Sequence, residues 1–412
     1  MSIFEKEVLF PVREALDGQP IQIPFGLDRV NDIISLKKSI YTIVMGNTGS
    51  GKTSLVDDCW VLKPYDLWRT NKDNVDVTFR ALYRSMERNR SLKLTKWACW
   101  KLYKEHGLLL DAETLLGYKK GCRINEDTWE QVVACRDWAD EMLDYVDIRD
   151  GRTTPDQHNA WVIQHALRQG TLFIADNVGV YNALTHQQYI DKFTEQKVTV
   201  LRNGETELYA EYLFNGETRR IKQGERQYYQ RNEKEITVIV SDHVGKWASQ
   251  TNATTPKAKI DLASSYASDH RDVFGYSPVD VIQLNRAVGD IQRIKHANGD
   301  LAPALDDAKD SGGPNENADL VISLFNPFRF NSYNDQGMYK GYNIRDRMVN
   351  AYGHNRYRLL SILKNSYGID DVEFGLKFLG EVSTFSTLPR PNPDGSPTPE
   401  LLAEYDRIAQ GY

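Results

Sequence analysis

Two kinds of apolar pattern alternate along this chain. Unbroken runs, Ile40-Tyr41-Thr42-Ile43-Val44-Met45 and Ile236-Thr237-Val238-Ile239-Val240 among them, read as strands covered on both faces. Further strand-like runs are Val75 to Tyr83, Tyr145 to Ile148, Pro278 to Arg286, Ala318 to Phe325 and Tyr357 to Leu363. Val372 to Leu379 with Ser383 to Phe385 predict a terminal hairpin. Between these runs the spacing turns helical: Lys93 to His106, Glu113 to Asp144, Ile260 to Arg271, and Thr154 to Arg168, which Pro155 can open at its first turn. Strands alternating with helices predict an α/β fold, with a twisted, mostly parallel sheet and helices on both faces.

From about 171 to 234 the rhythm changes. Lys197 to Leu201, Glu205 to Phe214 and Glu217 to Ile221 are strand-like and separated by Asn203-Gly204 and Asn215-Gly216, the strongest short-range hairpin signal. This segment predicts an inserted antiparallel meander. Its Arg219, Arg220, Lys222, Arg226 and Arg231 with Tyr228 and Tyr229 suit either a nucleic-acid backbone or a sheet edge protected by charge.

The ends differ again. Residues 1 to 24 form an arm with Phe4, Val8, Leu9 and Val12 at helical spacing, which either packs on its own domain or reaches a neighbour. Residues 25 to 388 hold the alternating core, and 389 to 412 a Pro-rich linker with one short helix beginning near Thr398. The tryptophans of the helical stretches, Trp97, Trp100, Trp129 and Trp138, are expected in the core.

Composition changes this picture little. The 412 residues are 41% hydrophobic and 26% charged, ordinary values for a chain that buries a large core. No apolar run reaches membrane-spanning length and the charged first residues lack a secretory core, so a soluble, cytoplasmic protein without membrane contact is expected. Cys59, Cys99, Cys122 and Cys135 form no paired motif and are read as reduced thiols. A net charge of −6 argues against a generally basic coat, so any contact with DNA must be local.

The chemistry centres on Gly46-Asn47-Thr48-Gly49-Ser50-Gly51-Lys52-Thr53, between a strand-like run and a helix-compatible segment. This is the setting in which G-x-x-x-x-G-K-[ST] becomes a phosphate-binding loop. The glycines let successive backbone N–H groups turn inward, Lys52 supplies a cation for the β- and γ-phosphates, and the Thr53 hydroxyl suits Mg²⁺. ATP and Mg²⁺ are therefore the expected ligands. Glu87, just past the strand ending near Tyr83, stands where open parallel sheets bind ligands and is a candidate to orient or deprotonate the attacking water. Asp242 ends another apolar run in the pattern of a carboxylate that holds Mg²⁺; Asp176, after Leu172-Phe173-Ile174-Ala175, is a competing match. Gln283 ends a third strand with an amide able to sense the γ-phosphate.

The succession GNTGSGKT, RSMER, IVSDH, IQLNRAV, NADLVISLF and LKNSYG…FLGEVSTF resembles the RecA-like motor domain of the DnaB-type replicative hexameric helicases, over residues 24 to 388. The resemblance implies a RecA-like P-loop ATPase core with inserted β-hairpins and antiparallel C-terminal strands. It implies Glu87 as the catalytic glutamate, Asp242 as the Walker B aspartate and Gln283 as the residue coupling phosphate state to DNA loops. By the same resemblance Lys364 reaches the neighbouring subunit's nucleotide, and Arg286, Arg293, Lys295 and His296 grip single-stranded DNA. A hexameric ring, with a primase or loader as partner, is the implied assembly.

The chain departs from that family in carrying Ser366 where an arginine finger is expected, with Arg345, Arg356 and Arg358 as candidate substitutes. It also shows only a short arm in place of an N-terminal helical domain, and it carries the insertion; together these fit a compact, diverged, phage-like member. The expected function is an ATP-driven helicase translocating on single-stranded DNA during replication. The alternative is a RecA-like DNA-binding or regulatory ATPase that does not unwind.

Overall fold

The computed structural model of the chain describes residues 22–72, 77–120, 123–190, 194–197, 206–284, 301–305, 307 and 312–411, with 8, 9, 12, 13 and 16 ahead of them. The core begins with β1 (Thr42–Gly46), every residue of which is buried. After a glycine-rich turn, α1 (Lys52–Val56) runs through a π-helical segment, Asp57–Leu62, into α2 (Lys63–Asn71). β2 (Thr78–Ser85) leads to α3 (Arg90–His106), whose first turn is capped by the Asn89 side chain. The helical stretch expected from Glu113 to Asp144 is divided: a short turn at Ala112–Leu115 ends near Gly117, which adopts φ +72°, and α4 (Glu126–Ala134) and α5 (Arg136–Tyr145) follow. β3 (Val146–Asp150) and α6 (Pro155–Gln169) come next, and α6 opens on a Thr154–Gln157 capping box with Pro155 in the first turn.

The insertion is an antiparallel unit with a small core of its own. β4 (Gly170–Ala175), β5 (Val180–Asn182) and β6 (Gln188–Ile190) form one sheet with β10 (Arg226–Gln230), while β7 (Thr194–Lys197), β8 (Thr206–Phe214) and β9 (Glu217–Lys222) form another. Phe173, Val180, Ala210, Tyr212 and Ile221 pack together between them. The β8–β9 turn is the expected one, with Asn215 at φ +51° and Gly216 at φ +81°. Asn203-Gly204 lies outside the described residues.

The chain then returns to the main sheet with β11 (Glu235–Asp242), α7 (Pro256–Phe274), β12 (Ser277–Gln283), β13 (Leu320–Phe325), β14 (Tyr357–Asn365), β15 (Val372–Leu379) and β16 (Thr384–Thr387), and ends in α8 (Pro399–Ala409). The nine-stranded order is β16-β15-β14-β13-β1-β12-β11-β2-β3. Neighbours from β13 to β3 are parallel, and β14 to β16 continue antiparallel. Alternation sorts the core: Val44 packs on one side with Trp60, Trp97, Trp100 and Trp138, whereas Ile43 and Met45 pack on the other with Ala263, Ala267 and the α8 residues Leu401, Tyr405 and Ile408. Trp129 corrects the expectation of four core tryptophans. It is 53% exposed, because α4 buries none of its residues. Cys59, Cys99 and Cys135 are free thiols, and Cys122 lies outside the described residues. No helix among the described residues is long and apolar enough to cross a membrane.

Candidate functional site: a phosphate loop at the sheet's carboxyl edge

Register brings the carboxyl ends of five strands together. Gly46 of β1 pairs with Gln283 of β12 and with Leu324 of β13, and Asp242 of β11 pairs with Ser85 of β2. A side chain on Gly46 would collide with the Leu324 carbonyl, so the loop leaves the sheet only with glycine here. Gly49 and Gly51 adopt φ +77° and +101°, the left-handed region that glycine enters without steric cost. Gly51 caps α1, and Lys52 follows at once.

Lys52 is 9% exposed, and its Nζ donates to the carbonyls of Gly46 at 2.8 Å and Asn47 at 3.0 Å. Burial pushes its ammonium down to about 8, against the upward pull of the Asp242 and Glu87 carboxylates. The Thr53 hydroxyl donates to Asp242 Oδ1 at 2.9 Å. Met86 N–H donates to the Asp242 carbonyl at 2.7 Å, which fixes the segment carrying Glu87 against β11. Glu87 Oε1 lies 2.9 Å from His243 Nε2 and 3.9 Å from Lys246 Nζ. A carboxylate only accepts, so His243 Nε2 carries the proton of this bond. Gln283 Nε2 donates to Thr48 Oγ1 at 2.6 Å. Asp176, the competing match, is in the insertion, where it accepts from Val178 N–H at 2.7 Å.

The loop suits a magnesium triphosphate. Asn47 and Ser50 are buried with side-chain polar atoms that have no hydrogen-bond partner among the described residues, in a cradle that a Cβ on Gly46 or Gly49 would obstruct. Thr53 and Asp242 offer the hard oxygen donors that Mg²⁺ takes while keeping water and phosphate as its other ligands. Among the described residues there is no cluster of three or more His, Cys, Asp or Glu able to cage a metal.

Two arginines that flank the loop come from the sheet's other half. Arg358 of β14 donates from Nε to the Ser50 carbonyl at 2.9 Å, and Arg329 from Nη1 to the Thr48 carbonyl at 2.7 Å. Burial, with Arg356 and Arg329 nearby, lowers Arg358 to about 9. Arg356 is held by Glu381 at 2.5 and 2.9 Å, and Arg345 by Asp346 at 2.9 Å. Lys364 is at the other end of β14, donating to the Asn315 carbonyl at 3.0 Å. The strand's rise puts it about 20 Å from Arg358, so Lys364 and the nearby Ser366 do not touch their own chain's phosphate loop. Arg286, Arg293, Lys295 and His296 lie outside the described residues.

Sequence reading missed Arg329 and gave His243 no role. Arg329 follows a strand beside β1, and the argument that selected Glu87, a charged residue just past a strand's carboxyl end, applies equally to it.

The sheet order and the phosphate loop at its carboxyl edge make this a RecA-like P-loop fold. No family model matches the sequence, and no curated protein matches it. Among solved structures, one described as an ATPase domain matches with a TM-score of 0.57 at 13% identity, over 94% of this chain and 100% of that one. The structure of a DnaB-like replicative helicase and its interactions with primase matches with a TM-score of 0.56 at 13% identity, over 93% of this chain and 68% of that one. The chain has the fold of the DnaB-type helicase ATPase domain.

Proposed function

We propose that this chain is the motor of a ring-forming helicase that hydrolyses ATP to move along single-stranded DNA. The observation that carries the reading is the convergence of Lys52, Thr53, Glu87, Asp242 and Gln283, from four strand ends, on one crevice. Thr53 and Asp242 would hold Mg²⁺, whose charge offsets that of the phosphates. Lys52 exchanges its carbonyl partners for phosphate oxygens. Glu87, oriented by His243, positions the attacking water and accepts its proton. Gln283, which donates to Thr48 at the end of β12, would couple phosphate state to Arg286, Arg293, Lys295 and His296, the residues that follow it in sequence.

Two features support assembly with further copies. Lys364 is too far along β14 to serve its own site, and apolar side chains are exposed at Leu116, Tyr118 and Trp129 as well as at Val8, Leu9 and Val12 of the arm. A primase or loader as partner follows from the family likeness alone. The second reading, a RecA-like ATPase that does not unwind, is favoured by one observation: Ser366 replaces the expected arginine, while Arg356 and Arg358 are committed within their own chain.

Lys52→Ala is expected to abolish ATP hydrolysis with the circular dichroism spectrum unchanged, and hydrolysis by the unmodified chain is expected to rise with single-stranded DNA. Equal turnover with and without DNA refutes the motor reading. Strand displacement on a forked duplex separates the helicase from the non-unwinding ATPase.

A further inference from the structure

A buried cation stands behind Asp242, and nothing in the chemistry above uses it. Lys93, in the first turn of α3, has a side chain only 1% exposed. Its Nζ lies 2.9 Å from Asp57 Oδ1, 3.2 Å from Asp57 Oδ2 and 2.7 Å from the Tyr83 hydroxyl, and 3.9 Å from the centre of the Tyr83 ring. A cation taken out of water costs several kcal/mol unless its protons are all placed, and here they are.

The directions of these bonds follow from proton count. An ammonium only donates, so the Tyr83 oxygen accepts from Lys93 and has one proton left to give. Asp57 neighbours that hydroxyl too, but the hydrogen bond the hydroxyl donates runs to Asp242. Asp242 Oδ2 is 3.1 Å from the hydroxyl and 3.7 Å from Lys93 Nζ. The other oxygen, Oδ1, takes the Thr53 proton at 2.9 Å. One end of the carboxylate is therefore anchored inside the protein while the other faces the phosphate loop.

We propose that Tyr83 and Lys93 are positioning residues for the magnesium site: Lys93 orients the Tyr83 hydroxyl, and the hydroxyl pins Asp242 Oδ2 so that Oδ1 stays turned toward Thr53. The network joins α1, β2, α3 and β11, so it also sets the distance between the phosphate-loop helix and the strand carrying Asp242. This inference rests on the reading of Thr53 and Asp242 as the residues that hold Mg²⁺.

Binding of a fluorescent ADP analogue, titrated with Mg²⁺ and repeated in EDTA, tests it in the full chain, with thermal midpoints recorded alongside. Tyr83→Phe keeps the ring and the Lys93–Asp57 pair and removes only the linking hydroxyl. It is expected to raise the Mg²⁺ half-saturation about tenfold, the usual effect of losing an outer partner of a metal ligand, with affinity in EDTA unchanged. The double variant Lys93→Met with Asp57→Asn removes both charges together and is expected to do the same. Wild-type half-saturation in Tyr83→Phe, with or without a loss of thermal stability, overturns the proposal. Asp242→Asn separates the two layers: if it raises the Mg²⁺ requirement while Tyr83→Phe does not, only the proposal fails. If Asp242→Asn leaves the requirement unchanged, the assignment of the metal site itself is wrong.

Discussion

Glu87 and Asp242 are both carboxylates at strand ends, yet their surroundings set them apart. Asp242 is 2% exposed and already accepts from two hydroxyls, whereas the Glu87 side chain is 40% exposed and bonds one histidine. The buried, doubly bonded group suits a fixed cation and the accessible one suits proton transfer from water. Glu87→Gln keeps the shape and loses the basicity. It is expected to cut single-turnover ATP hydrolysis about 10²- to 10⁴-fold while nucleotide binding, followed by equilibrium titration, stays within a few-fold of wild type. His243→Ala is expected to produce a smaller loss of hydrolysis, because Glu87 keeps its charge and loses only its orientation.

The helix that follows the phosphate loop is tied to the far antiparallel strands by one buried carboxylate. Asp58 accepts from the Phe385 N–H at 2.7 Å, the Thr384 hydroxyl at 3.3 Å and Trp100 Nε1 at 2.8 Å, and pairs with Lys63 at 2.8 Å. Lys63 in turn donates to the Phe385 carbonyl at 2.7 Å. Asp58→Ala would leave the Lys63 ammonium uncompensated, a change that costs about 3–5 kcal/mol. The expected outcome is a lower denaturant midpoint with an unchanged slope, measured by urea unfolding. Nothing local marks Asp58 and Lys63, because they sit in an ordinary helical stretch and their strand partners, Thr384 and Phe385, lie more than 300 residues away. The strands were legible for the opposite reason: a run such as Ile236 to Val240, β-branched throughout and apolar but for Thr237, announces burial on both faces by itself. Trp129 shows the limit of that logic, since periodicity marks an apolar face and does not say whether anything covers it.

For the molecule as a whole, three buried histidines make the core sensitive to acid. His158, His165 and His270, on α6 and α7, are buried and kept neutral. Burial lowers all three, His165 and His270 to about 3, and the nearby Arg84, Arg80, Arg168 and Arg226 act in the same direction. Their folded values lie below the unfolded value of about 6.5, so the unfolded chain takes up protons first and stability falls as pH drops below that point. Each such proton is worth about 1.4 kcal/mol per pH unit. Asp280, raised by burial to about 6, has the opposite sign and offsets part of the loss, because the folded chain binds its proton first. The thermal midpoint is therefore expected to decline between pH 6.5 and 4, and His165→Phe to flatten that decline by one proton's share, read by calorimetry across the pH series.

The order of strands and helices, the glycine turn with its lysine and threonine, and the carboxylates at strand ends were fixed by the chain's own sequence, because each depends on local periodicity or on residues adjacent along the chain. Which carboxylate meets Thr53, which arginines reach the loop, and which buried cation stands behind Asp242 were decided by register. Asp176 and Asp242 end equally apolar runs, and only the pairing of β11 between β2 and β12 places one of them beside the phosphate loop. Contacts between distant segments follow from how a sheet is ordered, and that order is a property of the packed molecule.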